Sequence, residues 1–104
     1  MAEQTDSTFF ERADAHIALS NEQLKLASQD RISASTNFGA ARFSAWVCAN
    51  LSGTVENMQT NRERAIESLT DEFRRMFIEN YDDYINNWNR YNVSSPTVIT
   101  RDKI

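Results

Sequence analysis

The chain has 104 residues, with 11 Lys and Arg against 15 Asp and Glu, a formal charge of -4, one Cys, one His, one Pro and two Gly. That inventory leaves room for one small domain. It excludes a disulfide scaffold and a multi-cysteine metal centre, and it argues against a dedicated nucleic-acid binder, which needs positive charge to displace counterions.

No apolar run approaches the roughly 20 residues that cross a bilayer, and so few Gly and Pro leave little punctuation for an all-β fold. Leu, Ile, Val and Phe number 22, with 11 Ala beside them. Alanine favours helix and lets backbones approach closely, but a core of Ala and aromatics is small. With no disulfide available, self-association is the expected staple.

Residues 1–7 read as a flexible N-terminus without a basic start or an apolar run, so a cytoplasmic protein with a free Cys48 is expected. The first helix is expected from Thr8, where Thr8 and Glu11 have capping-box spacing, to about Ser28. Phe10, Ala13, Ile17, Ser20, Leu24 and Ala27 recur at three and four and mark its buried face. Ser33 is the expected N-cap of a second helix running to Ser52, with Gly53 at its C′ position. Phe38, Ala41, Ala45 and Ala49 mark one face of this helix. Phe43, Val47 and Leu51 mark nearly the opposite one, the pattern of a central helix.

Thr54 to Gln59 reads as a connector, and Thr60 with Glu63 as a second capping box. From there the periodic residues Ile66, Leu69, Phe73, Phe77, Tyr81, Tyr84, Trp88 and Tyr91 predict one long helix, with Asp71 and Arg75 paired at i,i+4. Ser94, Ser95 and Pro96 close the helical domain of residues 8–91, and residues 92–104 read as a flexible tail. The expected fold is all-α, an antiparallel three-helix bundle. Its third helix, about 45 Å long, outgrows two companions of about 30 Å and is allowed a bend near its C-terminal third.

The overhang carries Tyr81, Tyr84, Ile85, Trp88 and Tyr91. Such a patch left in water is unusual for a monomer. A second protomer, a bend at Asn80 to Asp83, or a folded-back tail would cover it, and the homodimer or a protein partner is favoured.

Arg42 is the residue most suggestive of chemistry. Between Phe38, Ala45 and Trp46 it falls on a face expected to be buried, where a guanidinium needs a partner. Asp14 is the natural one, with Asn21 one heptad along and His16 at the edge. An internal ion pair that sets helix register explains this cluster more simply than an anion or ligand site. His16 lacks the Glu-x-x-His partner of a di-iron bundle, and Cys48 has no basic neighbour within a turn to make it reactive. No catalytic residue, metal site or cofactor is therefore expected. The seven acids and five bases from Arg62 to Arg90 form a solvated helix face that suits neither phosphate nor anionic lipid.

Five stretches occur in a familiar order: Phe10-Glu11-Arg12-Ala13-Asp14, Ala18-Leu19-Ser20-Asn21, Ala40-Ala41-Arg42-Phe43, Arg62-Glu63-Arg64-Ala65-Ile66 and Asn80-Tyr81-Asp82-Asp83-Tyr84-Ile85. As an ordered set over residues 8–88 they resemble a small bacterial family, domain of unknown function 3144. The resemblance implies a short, soluble helical protein of no assigned activity and carries no catalytic or ligand residue onto this chain. The residues favour a non-catalytic module that self-associates or docks a protein. The rival is a small ligand-binding bundle or minor enzyme using Arg42, Asp14, His16 and Asn21.

Overall fold

A computed structural model describes residues 6–95 and residue 98. It contains three helices and, among the described residues, no strand: α1 (Phe9–Gln23), α2 (Gln29–Ser52) and α3 (Val55–Asn86). The all-α class is the one that the composition and periodicity predict. Residues 1–5, 96, 97 and 99–104, which include Pro96 and most of the expected tail, lie outside the described residues.

Two compact units divide the chain. The first holds α1, the opening turns of α2 and the segment from Trp88 onward; the second, residues 37–87, holds the rest of α2 and all of α3. In the first unit Asp6, not Thr8, organises the start of α1. Its Oδ1 accepts from the Thr8 backbone N–H at 2.9 Å and from the Thr8 hydroxyl at 2.9 Å. Arg12 closes the cluster, donating to Thr8 Oγ1 at 2.5 Å and pairing with Asp6 at 3.3 Å. The expected capping box therefore does not form. Thr8 makes no side-chain cap, and the backbone N–H that Glu11 would accept from is already bonded to Asp6.

α1 stops at Gln23, five residues before Ser28, in a tightened turn where Lys25 N–H donates to Glu22 and Leu26 N–H to Gln23. α2 starts at Gln29, four residues before Ser33, with the Ile32 N–H bonded to the Ser28 carbonyl.

The second unit is a helical hairpin. Gly53 takes φ 77, the left-handed conformation expected at C′, and its N–H bonds to Ala49 O at 3.1 Å. The expected connector from Thr54 to Gln59 is instead helix. Thr54 is extended (φ -139, ψ 156) and its hydroxyl accepts from Asn57 N at 3.1 Å, while the Asn57 amide donates to Ser52 O at 2.8 Å. Thr54 thus caps α3 and Asn57 caps the end of α2, so Gly53 and Thr54 alone join the two helices. The Thr60–Glu63 spacing lies inside α3 and caps nothing.

α3 has 32 residues, about 48 Å at 1.5 Å per residue. It runs without interruption through Asn80 to Asp83, and the Asp71–Arg75 pair forms at 2.7 Å. It ends at Asn86, short of Tyr91. The side chain of Asn87 folds back onto Asp83, donating to its carboxylate at 2.9 Å and its carbonyl at 3.2 Å.

No residue in any of the three helices is buried. Among the described residues the single buried apolar one is Tyr91, 5% exposed, in the first unit. The large side chains on the two apolar faces of α2, Phe38, Phe43, Trp46 and Leu51, are all exposed, where a central helix would bury them. The two-residue joint turns a third face, made of small side chains, toward α3.

Candidate interaction surface

The facing walls of the hairpin define an open groove of about 780 Å³. On α2 its wall is small: Ala41, Ser44, Ala45, Cys48 and Ser52. On α3 it is large and apolar: Met58, Ile66, Leu69, Phe73 and Met76. The helices run antiparallel, with Ser52 and Met58 on the joint side of the groove and Asn37, Phe73 and Met76 toward its open end. Small side chains leave room for a third helix to approach the α2 backbone. One cation, Arg62, and one acid, Glu72, also line the groove. Arg62 is exposed and contacts Glu63 at 2.6 Å; Glu72 is half-buried and has no ion pair among the described residues.

The groove opens beside an apolar stripe that runs along α3 at helical spacing: Ile66, Leu69, Phe73, Phe77, Tyr81 and Ile85. Phe73 and Phe77 stack with centroids 6.0 Å apart, and Phe77 continues to Tyr81 at 5.7 Å. The rings cover one another and little else covers them, since Phe77 is 56% and Tyr81 58% exposed.

The five residues expected at the interface separate. Tyr81 and Ile85 are exposed on α3 in the second unit, and Tyr84 on the same helix is half-buried. Trp88 lies beyond the helix in the first unit and is 59% exposed, while Tyr91 is covered by its own chain. Burial removes the Tyr91 ring from the surface available to a partner.

The polar cluster takes different roles. Arg42 is exposed, in the second unit, and makes no ion pair among the described residues. The premise that forced a buried partner on it fails, because Phe38 and Trp46 on its face are themselves uncovered and its guanidinium stays in water. Asn21 in the first unit spends its amide on the backbone of Val98, accepting from Val98 N at 2.7 Å and donating to Val98 O at 3.1 Å. His16 is exposed and Asp14 half-buried, both on α1. No group of three metal-ligating side chains occurs among the described residues. Nor, among them, is any helix long and apolar enough to cross a membrane.

The groove escapes a search for large apolar residues, because one wall is alanine, serine and cysteine. Its signal is the recurrence of small residues at 41, 44, 45, 48 and 52 opposite the α3 stripe.

Comparison with known proteins adds one match. No curated protein and no solved structure matches the chain. The profile of a family described as Protein of unknown function (DUF3144) matches residues 9–85, nearly all of the three helices. That span covers most of the chain and holds the ordered motifs from Phe10 to Ile85, so the chain belongs to this family.

Proposed function

We propose that the chain is a non-catalytic protein-interaction module that works by covering the apolar stripe of α3. One observation carries this reading: Ile66, Phe73, Phe77, Tyr81 and Ile85 are all exposed along about 30 Å of a single helix. Patches of this size mark interaction sites, and aromatic rings bring large apolar area at low cost in side-chain entropy. Trp88 extends the exposed aromatic set in sequence.

The occupant is a protein surface. Between Arg62 and Arg90 acids outnumber bases seven to five, a poor match to nucleic acid or anionic lipid. A reducing cytoplasm, where the thiol of Cys48 in the groove wall stays free, suits the reading.

Hydroxyl-radical footprinting in native cell extract tests it, with each rate normalised to that of the urea-unfolded chain. Phe77 and Tyr81 are expected to react several-fold more slowly than Leu51, which lies off the stripe and is 81% exposed. Rates at Phe77 and Tyr81 no lower than that at Leu51 overturn the proposal.

A further inference from the structure

We infer that the occupant of the α2–α3 groove is α3 of a second copy of this chain, laid antiparallel about a two-fold axis near residue 67. The inference rests on the interaction-module reading and names its partner. The two hairpins then form a four-helix bundle in which each α3 enters the groove of the other copy.

Charge selects the antiparallel sense. Arg62 and Glu72 line the groove ten residues apart, on either side of its middle. An antiparallel two-fold brings Arg62 of each copy against Glu72 of the other. A parallel two-fold sets Arg62 beside Arg62 and Glu72 beside Glu72, which repels. Glu72 is also half-buried and without an ion pair among the described residues, and this arrangement supplies a cation for it.

Side-chain volume selects the same register independently. With the axis near residue 67, Leu69 of one copy faces Ala65 of the other, Phe73 faces Asn61, and Met76 faces Met58. All six residues line the groove. Large groups meet smaller ones at the first two levels, and two flexible thioethers meet at the third, as interdigitated packing requires.

Area is consistent with specific pairing. Met58, Ile66, Phe73, Met76 and Phe77 fall within the overlap of residues 55–79 and are each between 36% and 56% exposed. At roughly 100 Å² recovered from each, they bury about 500 Å² per protomer, or about 1,000 Å² in all, the lower end of specific interfaces. The two-fold is isologous, so the pair closes on itself.

Sedimentation equilibrium of the purified full chain, with Arg62→Glu, Glu72→Arg and the double charge swap, tests the inference. Both side chains line the open groove of a hairpin in which no helical residue is buried, and circular dichroism verifies that each variant stays helical. The wild type is expected at twice the 12.0 kDa chain mass. Each single substitution is expected to raise the dimer dissociation constant by about tenfold or more, and the double swap to restore it to within about threefold.

A wild-type chain of 12.0 kDa at every concentration overturns the inference. So does a dimer that the single substitutions do not weaken, or one that the double swap fails to restore. Footprint protection of Phe77 and Tyr81 in extract, combined with a monomeric purified chain, sinks the self-pairing and leaves the interaction-module reading standing.

Discussion

At the scale of single residues, Asp6 shows how a short polar cluster starts a helix. The backbone N–H of Thr8 holds its carboxyl below the usual range, with smaller contributions from the Thr8 hydroxyl and from Arg12. The sign follows from linkage. A carboxyl whose pKa is lowered by folding contributes stability above its unfolded value near 3.8 and loses it as pH falls through the lower folded value. The group is exposed, so the effect stays local to the first turn of α1. Amide chemical shifts of Thr8 and Phe9 are expected to move together as pH falls below about 4, and Asp6→Asn to abolish that titration while leaving α3 unchanged. A titration that persists in Asp6→Asn contradicts the assignment. Arg42 teaches the opposite lesson. Its apolar flanks suggest burial, but flanking residues cover a side chain only when another element covers them, and that information is not local in the sequence.

At the scale of elements, helix existence and order were legible because three/four periodicity is strong in α1 and stronger still in α3. Gly53 was legible for a specific chemical reason: the left-handed backbone at φ 77 suits a residue without Cβ. The beginning of α3 was not. Thr54 and Thr60 both offer an N-cap hydroxyl, and the capping-box pattern favours Thr60. Thr54 prevails because its hydroxyl meets the Asn57 N–H while Asn57 reaches back to Ser52, a reciprocal closure of both helix ends that a one-helix pattern does not contain. Thr54→Ala is therefore expected to cost about 1 kcal/mol, and Thr60→Ala only a few tenths, measured by chemical denaturation. Equal effects at the two positions place the cap elsewhere. The groove was half legible: its α3 wall is the periodic stripe, whereas its α2 wall is defined by missing bulk, which hydrophobicity does not register.

At the scale of the whole molecule, no helical residue is buried, and α3 in particular leaves its largest apolar side chains uncovered. Hydrophobic burial is the main term that opposes chain entropy, so under the proposed pairing a fold with this little of it is expected to draw stability from association. The thermal midpoint is then linked to protein concentration by mass action. Melts followed by circular dichroism over about a hundredfold range of concentration are expected to shift upward by several degrees as concentration rises. A midpoint independent of concentration argues that the single chain is self-sufficient. Of the aromatics that the overhang argument named, Tyr81 and Trp88 are exposed and Tyr91 is buried in the first unit, beyond the end of α3 at Asn86.

The two-residue joint at Gly53 and Thr54 also orders events in time. Contacts near such a joint are between neighbours in sequence, and hairpins of this kind close in microseconds to milliseconds. Two chains at micromolar concentration, meeting with a rate constant of about 10⁶ M⁻¹s⁻¹, need on the order of a second. Under the proposed pairing, a newly made chain therefore spends its first moments folded and single, with its rings in water. The alternating acids and arginines along the same rod, from Glu63 to Asp83, would then oppose premature aggregation of bare hairpins until they meet.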